Sequence, residues 1–163
     1  MPILINSIRW VVILLLQVLL FNHLQCYGLC QPQVYILCLM MLPPILRREG
    51  EMLIGLALGG LMDVLSNSMG VHMAACVLVM FIRQPLLASL VQNMERLSIE
   101  VSMRTIHEMT YVKYTVLLVF THQLVISALS AFSWVHLWWT ILQILFSALL
   151  AIILILGYNI IRR

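Results

Sequence analysis

The stretch GLALGGLMDVLSNSMGVH, residues 55–72, sets one carboxylate in an apolar segment between glycines and serines. Asp63 has no lysine or arginine within 14 positions on either side. A step of four residues turns a helix by only about 40°, so Gly55, Gly59 and Asp63 share one strip. Ser66 falls within the same strip. Because two glycines four apart let another helix approach closely, the stretch predicts a tight helical contact that Asp63 faces.

Two roles for the Asp63 side chain follow from its surroundings. A charged side chain at mid-bilayer costs about 2.5 kcal/mol or more, so the carboxylate needs donors. The nearest in sequence are backbone N–H groups at the start of the next segment, after the turn at Gly70, and the ring of His72. A carboxylate near a helix N-terminus is favourable. We favour a clamp that closes a hairpin; a ligand or proton site is the alternative.

The composition indicates a membrane protein. Of 163 residues, 63% are hydrophobic and 9% are charged, and the mean hydropathy is +1.07. A soluble domain has about a quarter of its residues charged. A chain of this size cannot hide so much apolar surface in a core, so the bilayer must be its solvent. We predict an all-α polytopic membrane protein with one integral membrane domain over residues 1–163.

Six apolar segments are predicted to cross the membrane. They cover roughly residues 3–22, 33–46, 52–65, 71–90, 111–130 and 134–157. All nine lysines and arginines lie near the chain ends, between segments two and three, or at or between segments four and five, and the loops after segments one, three and five contain none. This asymmetry favours six crossings with both termini in the cytoplasm. The alternative is a re-entrant hairpin of segments three and four, which leaves every other loop on the same side.

A further helix is predicted over roughly residues 86–108. Its apolar positions recur at helical spacing, and they are Leu86, Leu90, Met94, Leu97 and Val101. The pattern predicts an amphipathic helix that continues from segment four along the cytoplasmic membrane surface. It is either a solvated connector or a docking face for a cytoplasmic partner.

The remaining polar residues do not predict catalysis. Five of the six acidic residues are placed in cytoplasmic loops: Glu49, Glu51, Glu95, Glu100 and Glu108. The histidines lack metal-ligand spacing, and no Gly-rich phosphate loop is present, so no metal or cofactor is expected. His122, in the middle of a segment, is expected to hydrogen-bond to a neighbouring helix or to serve a function. Cys26 and Cys30, in the first outer loop, could form a disulfide in an oxidising compartment. The basic residues form no continuous patch, so nucleic acid is not an expected partner.

The opening stretch resembles the signature of MreD, a family of bacterial rod shape-determining membrane proteins. The residues that carry the resemblance are Gly55, Gly59, Asp63, Ser66, Gly70 and His72. The sequence departs from the signature at Asn67, where a glycine is usual, and at Met73, where alanine is frequent. Chain length, six-segment hydropathy and basic cytoplasmic loops are also similar, so the resemblance covers essentially the whole chain.

The resemblance implies a non-enzymatic scaffold in the bacterial cytoplasmic (inner) membrane. MreD-like proteins belong to the cell-elongation (rod) complex and associate with the membrane protein MreC. Through MreC they are linked to the MreB filament, the glycosyltransferase RodA and a transpeptidase. The implied outcome is lateral peptidoglycan synthesis and regulation of cell shape.

The same resemblance supplies a rival function. MreD-like proteins are similar in architecture to the S components of vitamin transporters, which bind small molecules. Here the predicted outer loops are short, NHLQCYGLCQPQ, SNSMG and SAFSW, and offer little side-chain chemistry for a ligand. We therefore expect a scaffold and no small-molecule substrate, with a transporter subunit as the alternative.

Overall fold

The computed structural model describes residues 2–22, 30–91, 100–130 and 137–162. The helices are α1 (Pro2–Leu16), α2 (Ile36–Met40), α3 (Arg48–Ser66), α4 (Val71–Leu90), α5 (Glu108–Ser130) and α6 (Leu137–Ile161). One π-helical turn, Gln17–Phe21, extends α1. Within these ranges the chain forms helices and turns and no strand. The predicted all-α class is therefore confirmed.

Three helices in the described ranges are long and apolar enough to cross a membrane. They are Val71–Leu90, Glu108–Ser130 and Trp138–Ile161. A shorter apolar helix, Ile8–Phe21, precedes them. These helices also present large apolar side chains on their outer surfaces, such as Leu19, Phe146 and Ile153. Apolar length and an apolar exterior together indicate an integral membrane protein.

From α3 onward, helices that follow one another in the chain are also neighbours in space. α3 packs on α4, α4 on α5, and α5 on α6. The contact between α3 and α4 is the most extensive of these. It forms an antiparallel hairpin, because only residues 67–70 separate the two helices.

The predicted second span, residues 33–46, is wrong as a helix of that length. α2 has only five residues, and turns precede and follow it. Pro43 and Pro44 lack the N–H that a continuing helix needs. Residues 35–42 are all buried, so this segment runs inside the bundle. Irregular backbone is tolerated at membrane depth where protein surrounds it.

Gln17 holds the start of this buried segment. Its side-chain oxygen accepts hydrogen bonds from the backbone N–H of Val34 (2.7 Å) and Tyr35 (3.3 Å). Its side-chain nitrogen donates to the carbonyl of Pro32 at 3.1 Å. The Gln17 side chain is completely buried, and these bonds satisfy backbone groups that α2 leaves unpaired.

The predicted amphipathic helix over residues 86–108 is also wrong as one continuous helix. α4 ends at Leu90, Val91 is extended, and residues 101–106 form turns. Two positions of the predicted docking face, Met94 and Leu97, lie outside the described residues.

The described members of that face pack on the protein. Val101 is completely buried in the core, and Leu86 and Leu90 are half-buried against it. In the described part of the face, the apolar side chains therefore pack on the protein's own core, which removes them from water.

Candidate functional site

Asp63 closes the turn between α3 and α4. One carboxylate oxygen accepts hydrogen bonds from the Ser68 hydroxyl (2.6 Å) and the His72 backbone N–H (3.0 Å). The other accepts from the Met73 N–H at 2.9 Å. We call Asp63, Ser68 and the amides of His72 and Met73 the turn clamp. The amides predicted as donors to Asp63 are thus confirmed.

The turn clamp caps the N-terminus of α4. The residue before that helix is Gly70, which has no side chain to accept from the first N–H groups. His72 and Met73 are the second and third residues of α4, where a capping side chain normally bonds. The Asp63 carboxylate fills this role from the preceding helix, and its negative charge is favourable at this end of the α4 dipole.

The turn itself requires two residues in left-handed conformations before Gly70. Asn67 has φ 53°, Met69 has φ 45° and Gly70 has φ 92°. The N–H of Ser68 bonds to the Asp63 carbonyl at 3.1 Å and ends α3. Asparagine tolerates this conformation better than most residues, so Asn67 can stand at a position where glycine is usual.

The two glycines of the strip lie against α4, as their spacing predicts. A Cβ at Gly59 would come within 2.5 Å of the Met73 Cα and 2.7 Å of the His72 carbonyl oxygen. At Gly55 it would meet the Met80 side chain at 2.8 Å and the Cys76 carbonyl oxygen at 3.1 Å. The two glycines are therefore covered by this chain's own α4.

Ser66 does not join the turn clamp. Its hydroxyl oxygen accepts a hydrogen bond from the side-chain nitrogen of Asn22 at 3.0 Å. This contact ties the turn end of the hairpin to the residue that follows the π-helical turn of α1.

The ring of His72 contacts Tyr35 and makes no hydrogen bond to Asp63. The Tyr35 hydroxyl lies 2.9 Å from His72 Nδ1 and 2.9 Å from His122 Nε2. Cys76 Sγ lies 3.6 Å from the same hydroxyl. We call these four buried side chains the tyrosine cluster. Since a hydroxyl has one proton, Tyr35 donates to one imidazole and accepts from the N–H of the other.

The tyrosine cluster joins three segments of the chain. Tyr35 comes from the buried segment, His72 and Cys76 from α4, and His122 from the middle of α5. His122 is expected to hydrogen-bond to a neighbouring helix; its bond is to Tyr35, the residue before α2, and Cys76 of α4 lies 3.9 Å from the same ring nitrogen. Tyr35 itself carries no distinguishing pattern in the sequence, and its central place follows only from the packing.

A buried ion pair lies on the same face of α4 as His72, toward the base of the hairpin. The guanidinium of Arg83 bonds to the Glu51 carboxylate and to the Leu42 carbonyl. Arg83 Nε donates to the Tyr114 hydroxyl at 3.0 Å, and that hydroxyl donates to the Met40 carbonyl at 3.2 Å. Both charged side chains are completely buried. We call these five residues the ion-pair cluster.

The sequence interpretation missed the ion-pair cluster. It placed Glu51 in a loop, whereas α3 begins at Arg48 and includes Glu51 in its first turn. Arg83 lies inside the predicted span 71–90, and a guanidinium within a span signals a buried partner. That signal could have found the pair, although not the identity of its carboxylate.

A second arginine explains how α4 tolerates an internal proline. Pro85 lacks an N–H, so the Phe81 carbonyl four residues earlier loses its helical donor. Arg48 Nη2 donates to this carbonyl at 3.1 Å, and the guanidinium lies 3.9 Å from the centroid of the Phe81 ring. The first residue of α3 thus supplies the hydrogen-bond donor that the backbone of α4 lacks.

One further charge cluster joins both ends of the chain. Glu100 forms an ion pair with Arg162, just beyond α6, and lies 4.0 Å from Arg9 of α1.

The predicted disulfide between Cys26 and Cys30 is not described, because Cys26 lies outside the described residues. Among the described residues, no group of three or more histidines, cysteines and carboxylates is arranged to hold a metal ion.

Comparison of the chain with known protein families, curated proteins and solved structures finds no match. The family resemblance therefore stays a prediction from the sequence.

Proposed function

We propose that this chain is a non-enzymatic scaffold of the bacterial cell-elongation complex, an MreD-like protein of the cytoplasmic membrane. Its partners would be an MreC-like membrane protein and, through it, MreB, RodA and a transpeptidase. The process served would be lateral peptidoglycan synthesis and control of cell shape.

One observation carries the proposal: the central polar side chains of the turn clamp, the ion-pair cluster and the tyrosine cluster are hydrogen-bonded to other groups of the same chain. Both oxygens of Asp63 accept from the turn. Arg83 binds Glu51 and backbone carbonyls, and Tyr35 joins two imidazoles. Buried polar groups that are hydrogen-bonded within the protein make a helical bundle rigid and specify how its helices pack. A rigid bundle with an apolar exterior suits a protein whose work is to hold other membrane proteins in place.

A six-span topology with cytoplasmic termini is part of the proposal. The buried segment carries Tyr35 at the level of His72, and then Leu42 at the level of Arg83. His72 and Arg83 are 11 residues apart on α4, about 16 Å by helical rise. The segment thus runs alongside much of α4. This supports the proposal that it crosses the membrane, although α2 is short.

The complex can be tested by co-purification. The full-length protein with a C-terminal affinity tag would be expressed in a rod-shaped bacterium depleted of its own MreD, and the solubilised complex identified by mass spectrometry. We expect MreC-like and RodA-like proteins in the complex and restored rod shape. A transporter ATPase or a bound vitamin in their place would favour the rival function and contradict the scaffold.

The topology can be tested separately with single cysteines in a variant that lacks the native ones. Ser68→Cys, in the turn, should react with a membrane-impermeant maleimide added outside intact inner-membrane spheroplasts. Glu49→Cys, at the start of α3, should react only after permeabilisation. Labelling of both positions from the same side would support the re-entrant hairpin.

A further inference from the structure

We propose that the lipid-facing side of the α3–α4 hairpin binds one anionic phospholipid, its phosphate against Arg48 and one acyl chain in an apolar groove beside it. The proposal depends on the chain lying in a membrane and is independent of the scaffold role. It concerns a surface that lies outside the ion-pair cluster and meets the turn clamp at Met73.

The groove lies along the seam between the two helices and has a volume of about 520 Å³. Its lining is apolar and includes Met52, Leu56, Gly70, Ala74, Leu78 and Phe81. From Gly70 to Phe81 it follows α4 for 11 residues, about 16 Å by helical rise. A narrow apolar trough of this length fits one extended hydrocarbon chain lying along the helices.

A guanidinium stands at one end of the groove. Arg48 is one helical turn before Met52 on α3, and its guanidinium lies over the ring of Phe81, which lines the groove. Nη2 is committed to the Phe81 carbonyl. Nε is buried and has no hydrogen-bond partner among the described residues. The groove therefore ends in a positive charge whose one hydrogen bond among the described residues is to the Phe81 carbonyl.

The charge selects an anionic lipid over a neutral or zwitterionic one. Arg47, next to Arg48, is exposed and adds a second positive charge, while Glu49 removes one. Glu51 does not compete for these arginines because it is bound to Arg83. Guanidinium binds phosphate through charge-assisted hydrogen bonds, and basic pockets beside membrane helices hold anionic headgroups. Charge and shape together commit the site to a phospholipid.

The charge at the groove can be tested by native mass spectrometry of the full-length protein with phosphatidylglycerol or phosphatidylcholine. The wild-type protein should retain one phosphatidylglycerol in preference to phosphatidylcholine. Arg48→Gln keeps an N–H donor for the Phe81 carbonyl and removes the charge, so phosphatidylglycerol affinity should fall about fivefold. Lys113→Gln removes the same charge from an exposed position on α5 and should have no such effect.

The groove itself can be tested by filling it. Ala74→Trp should displace the acyl chain and abolish the retained lipid, whereas Leu117→Trp, on the exposed face of α5, should not. Leu56→Trp fills the groove from α3 and serves if Ala74→Trp fails to fold.

Four results would overturn the proposal, three of them from lipid binding. The first is equal retention of the two lipids by the wild-type protein, and the second is an equal loss in Arg48→Gln and Lys113→Gln. The third is unchanged binding after the groove is filled. Dimers of the wild-type protein that disappear in Ala74→Trp would show a second copy in the groove and would also contradict a lipid. A failed co-purification of elongation proteins would leave each of these measurements unaffected.

Discussion

The two ends of the α3–α4 hairpin are held in different ways. At the turn, Asp63 bonds to groups 5, 9 and 10 residues further along the chain. At the base, Arg83 bonds to groups that are 31 to 43 residues away in sequence. All members of the turn clamp thus belong to the hairpin, whereas the ion-pair cluster needs α3, α4, α5 and the buried segment together.

The two ends also differ in how a buried charge is compensated. Asp63 receives three neutral donors at the end of a helix dipole, which suits a carboxylate near the end of the bundle. Arg83 and Glu51 compensate each other, and both are completely withdrawn from solvent. Loss of one donor weakens the turn clamp by one hydrogen bond, but loss of one partner in the ion-pair cluster leaves an uncompensated buried charge.

The largest expected effect comes from breaking the ion-pair cluster. Arg83→Met should reduce the free energy of unfolding by about 3–5 kcal/mol, because Glu51 keeps its charge without a cation. The measurement is SDS-induced unfolding in bicelles, followed by circular dichroism. The double variant Glu51→Leu with Arg83→Met should be more stable than Arg83→Met alone. Equal stability of the two variants would show that Arg83 does not stabilise the fold through its ion pair with Glu51.

A substitution at one glycine, where α3 contacts α4 between the two ends of the hairpin, should destabilise the protein nearly as much. Gly59→Ala should cost about 3 kcal/mol, the upper end of overpacking, because its Cβ meets the backbone of α4 at 2.5 Å. Gly55→Ala should cost less, since Met80 can move aside. Gly60→Ala, whose nearest contact is the Met73 sulfur at 3.9 Å, should be tolerated. The same unfolding assay ranks the three, and a different order would refute the described approach of α4.

Replacing Asp63 of the turn clamp by the neutral isostere asparagine should reduce the free energy of unfolding by a smaller amount. Asp63→Asn places an amide N–H against a donor, either the Met73 N–H or the pair from Ser68 and His72. A cost of about 2 kcal/mol is expected. Ser68→Ala removes one bond and leaves both amides paired, so it should cost about 1 kcal/mol. Stability of Asp63→Asn equal to the wild-type protein would exclude the turn clamp as a stabilising feature.

The smallest expected effect belongs to the tyrosine cluster, between the two ends. Tyr35→Phe keeps the ring packing and removes the hydroxyl that joins His72 to His122. A cost of about 1 kcal/mol is expected, with the fold retained. The check is the unfolding assay together with the fluorescence of the four tryptophans. Tyr158→Phe, at a half-buried ring outside the cluster, is the control and should leave both signals unchanged.

Sequence reasoning reached the local features because their parts lie close along the chain. The backbone donors to Asp63 and the close approach at Gly55 and Gly59 follow from spacing within residues 55–73. The same reasoning misplaced the His72 ring, because Tyr35 is 37 residues away. It also left open whether the apolar spacing around Val101 marks a solvated connector or a docking face, since periodicity shows that a face is apolar and not what covers it.

The sequence by itself determined that this protein lies in a lipid bilayer and that it belongs to the all-α class. Composition demands a bilayer, hydropathy marks the long helices, and glycines beside Asp63 demand a close hairpin with a capped turn. Tertiary structure decided which residues satisfy the charges and where the backbone departs from helix. Only the assembled bundle joins Arg83 to Glu51, encloses α2, and turns Arg48 toward the carbonyl freed by Pro85. Buried polar groups take whichever partner the packing brings within reach, and separation along the chain does not limit that choice.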